Sequence, residues 1–176
     1  DKGSVTEFLE QGNYKYKIDT IEDQNWNQIW EENFKPVSVN QFCTIRASFH
    51  PPVEGSVYDI IITPKMSFGT GHHATTYMMI EQMQALNLKG MEVLDFGTGT
   101  GVLAILAEKM GAASVLGIDN DDWSIENALE NVLFNQCRHI LIQKADNLSL
   151  NQNFDLILAN INKNVLMATM SQMKQH

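Results

Sequence analysis

The sequence predicts an α/β protein: a doubly wound, mostly parallel sheet beginning near residue 65, preceded by a small α+β segment over residues 1–64. Three observations carry this reading. From Ile80 onward, short apolar runs alternate with amphipathic helical stretches, the pattern of parallel strands joined by right-handed crossovers. The run from Phe154 to Asn160 is almost wholly apolar, as suits a strand buried on both faces of a parallel sheet. Between one predicted strand and the next helix stands the turn Gly97-Thr98-Gly99-Thr100-Gly101.

Each element has its own local cause. In the front segment, Asn13–Asp19 alternates as a strand does, and Glu22–Glu32 places Trp26, Ile29 and Trp30 on one helical face. Strands follow at Gln41–Ser48 and Tyr58–Thr63, separated by the Pro51-Pro52 turn. The second part predicts strands at Glu92–Phe96, Ser114–Asp119, His139–Gln143 and Asp155–Asn160. Its helices are predicted at Thr75–Leu86, Gly101–Met110, Asp122–Asn135 and Asn164–Lys174. The third helix is the most regular: Ile125, Ala128, Leu129, Val132 and Leu133 fall on one stripe and are expected to be core. No further strand is predicted after the apolar fourth one. An edge so apolar invites aggregation, so the sheet is expected to be incomplete on its C-terminal side.

Composition narrows the function. Of 176 residues 44% are apolar, a globular proportion, and the net charge is −9. Neither part carries a basic excess, which speaks against direct nucleic-acid binding, since that needs cations to displace counterions. An acidic surface favours a basic partner, or simply keeps the protein soluble. No apolar run approaches the ~20 residues that cross a bilayer, and the N-terminus lacks a signal-peptide pattern. Cys43 and Cys137 stand far apart, so neither a disulfide framework nor a thiolate metal site is indicated, and a reducing cytoplasm is expected.

In a doubly wound sheet, ligands sit at the carboxyl ends of the strands, so the residues there carry the chemistry. Gly97, Gly99 and Gly101 remove the Cβ atoms that would keep a ligand off the turn, and leave N–H groups at the start of a helix. Val102 breaks the dinucleotide fingerprint, and no phosphate-binding Lys-Ser/Thr follows the glycines. Asp95 would repel a pyrophosphate but suits a ligand carrying an ammonium and a sulfonium, which describes S-adenosylmethionine. Asp119 ends the second strand, 22 residues after Gly97, and is placed to accept both ribose hydroxyls. Its other role would be to cap the next helix, for which Asp121 and Asp122 are also available. Asp146 or Asn147, after the third strand, could take the adenine amino group or form a plain polar turn.

Asn160 emerges at the end of the fourth strand. A neutral amide carbonyl can hold an attacking amine by its N–H without stabilising the unreactive ammonium, as a carboxylate would. Upstream, Thr75 or Thr76 is a natural helix cap, and adjacent His72 and His73 point apart, so no metal is expected.

With these residues in hand, the chain resembles the bacterial methyltransferases of the PrmA type, which modify the eleventh protein of the large ribosomal subunit. The family's loop Phe-Gly-Thr-Gly-Thr-His-Pro-Thr-Thr resembles Phe68 through Thr76, and the likeness extends from Trp26 onward. His72 stands for Thr, Ala74 for Pro, Gly-Thr-Gly-Thr-Gly for Gly-Cys-Gly-Ser-Gly, and Asn162-Lys163-Asn164 for small residues. The front segment is also shorter than the family's ferredoxin-like recognition domain.

The resemblance implies a Rossmann-like class I methyltransferase domain over residues 65–176 and a shortened recognition segment before it. It implies cofactor contacts from Thr76, Gly97, Asp119 and Asn160, with Phe68 and its loop covering the methionyl part. It further implies S-adenosylmethionine-dependent methylation of lysine or N-terminal amines on a basic large-subunit ribosomal protein, with no membrane partner. The alternatives are a methyltransferase for another amine, on a small molecule or RNA, and a non-catalytic cofactor-binding module. A nicotinamide-dependent oxidoreductase is disfavoured by Asp95 and Val102.

Overall fold

Two compact units divide the chain, residues 1–33 and 34–176. The computed structural model describes residues 8, 9, 12, 14, 15, 17, 34–63, 71–145 and 152–175. In the first unit Phe8 and Leu9 are helical, the Leu9 carbonyl accepts the Tyr14 N–H at 3.1 Å, and the Phe8 and Tyr14 rings stack at 6.5 Å. Most of the strand expected at 13–19, and all of the helix expected at 22–32, lie outside the described residues.

The second unit holds two sheets. Strands β1 (Val37–Val39), β2 (Cys43–Ala47) and β3 (Tyr58–Ile62) form the first, in that order. β1 and β2 are antiparallel, whereas β2 and β3 are parallel, so the Pro51-Pro52 segment carries the chain across rather than closing a hairpin. β1 is absent from the sequence reading; three residues are too few to show an alternation.

Helix α1 (Ala74–Met83) leads into β4 (Glu92–Phe96), α2 (Val102–Lys109), β5 (Ser114–Asp119), α3 (Asp122–Phe134), β6 (Ile140–Lys144), β7 (Leu156–Leu158) and α4 (Lys163–Met173). The four strands form a parallel sheet in the order β6-β5-β4-β7, as the fold class requires. The chain starts in β4, winds outward through β5 and β6, then returns to add β7 on the other side. The order therefore reverses between β4 and β7, and a crevice opens there at the carboxyl ends.

Alternate residues of β4 serve different layers. Val93 joins the main core with Ile45, Ile60 and Ile62 of the small sheet, while Leu94, Phe96, Leu116 and Ile118 form a second cluster. Helix α2 lies in the main core, and every residue from Val102 to Ala107 is buried, so it is apolar all round. In the small sheet, buried Arg46 forks onto Asp59, with Nε–Oδ1 at 2.8 Å and Nη2–Oδ2 at 2.7 Å.

Helix α3 departs from its expected stripe. Ala128 and Val132 are buried, but Leu129 is 46% and Leu133 76% exposed, while Ser124, Asn127 and Asn131 are buried in their stead. The physical reason is that this face meets the backbone edge of β3, which needs hydrogen-bonding partners rather than apolar ones. At α1 the cap also differs: His73, not Thr75 or Thr76, occupies that place, its ring nitrogen accepting the Thr75 N–H at 3.3 Å.

Candidate active site at the carboxyl ends of the parallel strands

The site begins with the turn after β4. Gly97 has φ 75° and Gly101 φ 79°, a left-handed conformation that side chains disfavour. Both positions are also crowded. A Cβ on Gly97 would lie 2.3 Å from Ile161 Cγ2, and one on Gly101 would lie 3.3 Å from Ala128 Cβ. Gly97→Ala is therefore expected to lower stability by about 2 kcal/mol, from the backbone alone, and more from the displaced Ile161. Chemical denaturation checks this, and an unaltered midpoint would contradict it.

Two carboxylates fasten the turn. Asp119 Oδ2 accepts the Gly99 N–H at 2.9 Å, and its Oδ1 accepts the Asp121 N–H at 3.1 Å. A carboxylate has about four acceptor positions, so each oxygen keeps capacity toward the cavity. Asp121, not Asp119, caps α3 by accepting the Ser124 N–H at 2.9 Å.

Asp95 lies deeper, with 1% of its surface exposed. Its Oδ2 accepts from the Thr98 hydroxyl at 2.7 Å and the Ala104 N–H at 3.2 Å, while Oδ1 is buried without a partner among the described residues. Burial pushes its carboxyl up from 3.8 to about 6, against the lowering by those hydrogen bonds and with a small push from Asp119. Relative to the unfolded chain, the folded state thus favours the protonated form, while at neutral pH the carboxyl is mostly ionised. The resulting stability is present below pH 4 and is lost as pH rises through about 6. This group's contribution amounts to about 3 kcal/mol between those limits. Asp95→Asn keeps an acceptor for Thr98 and Ala104 while removing the charge. The variant is expected to melt several degrees above the parent at pH 8, and level with it at pH 4. Thermal unfolding at the two pH values checks this, and an equal difference at both would contradict it.

A cavity of ≈ 610 Å³ opens above these groups, within the size range of a cofactor-binding cleft. Gly97 and Gly99 form its floor, Asp119, Asn120 and Ser124 one wall, and Asn160, Ile161 and Asn162 the other. His73 and Thr75, at the start of α1, also line it. Thr76 stands behind that wall, fully buried, and its hydroxyl accepts the Asn160 Nδ2–H at 3.1 Å. That bond fixes the amide and leaves its carbonyl as the remaining acceptor. Asn162 caps α4 by accepting the Asn164 N–H at 2.8 Å.

Of the residues singled out by sequence, Gly97, Gly99, Asp119 and Asn160 line one cavity. Thr76, Asp95 and Gly101 support it from behind, while Phe68, Asp146 and Asn147 lie outside the described residues. Ser124, Asn120 and His73 were not anticipated as lining residues. Only the helix-start position of Ser124 and His73 could have signalled them.

The histidine pair divides as its adjacency implies: the His72 ring meets Phe34 edge-on at 4.7 Å, while His73 caps α1. Among the described residues no cluster of three His, Cys, Asp or Glu is grouped to hold a metal. Burial raises the Cys43 thiol to about 12 and Cys137 to about 11, so neither supplies a thiolate nucleophile at neutral pH.

A four-stranded parallel sheet reversing at β4–β7, with a glycine turn and an acidic residue ending the two adjoining strands, is the Rossmann-like arrangement on which class I methyltransferases are built. A profile of the family described as ribosomal protein L11 methyltransferase (PrmA) matches residues 4–176, and the chain belongs to that family. It is 46% identical over 161 residues to the ribosomal protein L11 methyltransferase of Porphyromonas gingivalis, covering 90% of this chain and 56% of that protein. The Bacteroides thetaiotaomicron protein of the same name is 41% identical over 175 residues, covering 97% of this chain and 62% of the relative. Among solved structures, the ribosomal protein L11 methylase from Lactobacillus delbrueckii subsp. bulgaricus superposes with a TM-score of 0.74 at 33% identity, covering 81% of this chain and 75% of that one. The resemblance read from Phe68–Thr76 and the glycine turn is thereby borne out. The chain spans 56% and 62% of the two curated relatives' length.

Proposed function

We propose that this chain carries the catalytic centre of an S-adenosylmethionine-dependent N-methyltransferase acting on lysine or N-terminal amines of a large-subunit ribosomal protein. The observation that carries the reading is the convergence of Gly97, Gly99, Asp119 and Asn160 on one cavity at the strand switch. When bound, S-adenosylmethionine supplies an electrophilic methyl group on a sulfonium.

The residues present fit that cofactor. Asp119 offers two carboxylate oxygens to a pair of ribose hydroxyls, charge-assisted bonds of the stronger kind. The crowding at Gly97 leaves no room for a side chain between the turn and Ile161. Asp95, with one oxygen unpartnered, supplies negative potential below the turn, suited to a cationic ligand and adverse to a pyrophosphate. Asn160 has its amide nitrogen committed to Thr76, and its carbonyl accepts an N–H from the incoming amine. A lysine has a free pKa near ~10.4 and must reach the site neutral. A neutral acceptor selects that form, whereas a carboxylate at position 160 would hold the ammonium. Positioning and exclusion of water then supply the acceleration, with no side-chain base required.

The substrate is the large-subunit ribosomal protein named for the relatives, a basic partner suited to a chain of charge −9. Among the described residues no helix is long and apolar enough to cross a membrane, and a ribosomal substrate puts the reaction in the cytoplasm. Transfer of tritiated methyl from S-adenosylmethionine tests the reading, with that ribosomal protein, total RNA and amine metabolites as separate acceptors. Label in the protein alone supports it. Label only in RNA or a metabolite would replace the substrate assignment, and cofactor binding without transfer to any acceptor would reduce the chain to a binding module.

A further inference from the structure

Helix α3 carries asparagine at positions 127 and 131 and ends on Asn135 as its C-cap, so the three, four residues apart, fall in one row. The row faces β3. Asn135 Oδ1 accepts the Ile61 N–H at 3.0 Å and its Nδ2 donates to the Ile61 carbonyl at 2.6 Å. Asn131 Oδ1 accepts the Thr63 N–H at 2.7 Å, and Asn127 Nδ2 donates to the Thr63 carbonyl at 3.1 Å. The match is geometric. Four helical residues rise about 6 Å and two strand residues about 6.7 Å, so Asn135 and Asn131 meet successive outward-facing peptide units at Ile61 and Thr63, while Asn127 shares Thr63 with Asn131. The side chains replace a neighbouring strand along the edge of the small sheet.

Asn131 does one thing more. Its Nδ2 donates to the carbonyl of Thr100 at 2.8 Å, inside the glycine turn, and both residues are fully buried. One amide thus joins Thr63, the residue that follows β3, to the glycine turn, at positions 68 residues (63 to 131) and 31 residues (100 to 131) apart in sequence. Ala128, on the same face, lies against Gly101, and Ser124, one turn earlier, lines the cavity itself.

We propose that Asn131 is a positioning residue of the methyltransferase site: acting through the Thr100 carbonyl, it holds the glycine turn in the shape that receives the cofactor. This rests on the functional reading above. Asn135 provides the internal control, because it makes the same kind of bonds to β3 but none to the turn. In the full chain, Asn131→Ala is expected to weaken S-adenosylhomocysteine binding at least tenfold by calorimetry. Turnover at saturating cofactor should stay within about threefold of the parent, which places the effect on binding rather than on chemistry. Asn135→Ala is expected to lower the melting temperature to a similar degree yet change cofactor affinity less than twofold. Asn131→Ser puts a hydroxyl, able to donate or accept, in place of the amide and serves as the milder variant should the alanine form fail to fold; its affinity is expected between those of the parent and the alanine variant. Equal losses of affinity in the Asn131 and Asn135 variants at matched stability, or no loss in either, would overturn the proposal while leaving the functional reading intact. A parent protein that binds no S-adenosylhomocysteine would overturn both.

Discussion

Asp119→Ala is expected to weaken S-adenosylhomocysteine binding by about 100-fold or more, with turnover at saturating cofactor changed only a fewfold. Two hydrogen bonds to a charged acceptor are worth roughly 1.5–3 kcal/mol each, and both would go with the carboxylate. The same substitution frees the Gly99 and Asp121 N–H groups that Asp119 holds at 2.9 and 3.1 Å, so the floor of the cavity loosens as well. Asp119→Asn separates these effects. It keeps one oxygen for the turn but turns the other acceptor into a donor, so its affinity should fall between parent and alanine variant. Calorimetry checks both substitutions. An unchanged dissociation constant in the alanine variant would remove Asp119 from the ligand contacts and leave it as a fastening for the turn.

Asn160→Ala should do the opposite. Cofactor affinity is expected to stay within about threefold of the parent, while turnover drops by about 100-fold, the scale seen when a preorganised contact to a reacting group is lost or misplaced. The Thr76 hydroxyl also loses its donor at 3.1 Å, which adds to the disorder of the wall behind the amine. Asn160→Asp is the more diagnostic change. A carboxylate at that point stabilises the protonated amine, so its pH–rate profile should move to higher pH as well as downward. Steady-state kinetics across pH checks this, and full turnover in the alanine variant would take Asn160 out of the reaction.

The parts of this site that could be read in the sequence are those whose cause is local. A glycine turn, a carboxylate ending the next strand and a polar residue closing an apolar run each need only neighbours in the chain, and Gly97, Asp119 and Asn160 meet in one cavity. Pairings set by distant residues stayed hidden. β1 and the parallel match of β2 with β3 depend on contacts across the small sheet, and no periodicity records them. Helix α3 misled for a chemical reason. Its leucines follow the usual core spacing, but the surface it meets is a strand edge of unpaired peptide groups, so asparagines turned inward and Leu129 and Leu133 outward. Asparagine at every fourth position was the available signal, ordinarily taken for a solvated face. Asp95 was legible as a site residue but not in its depth: beneath the turn and almost fully enclosed, it acts through potential rather than contact.

Crystallisation of the chain with S-adenosylhomocysteine tests the central claim most directly. Ribose hydroxyls are expected within hydrogen-bonding distance of both Asp119 oxygens, with the ligand's sulfur turned toward Asn160. A nucleoside seated away from the β4–β7 crevice, or making no contact with Asp119, would contradict it.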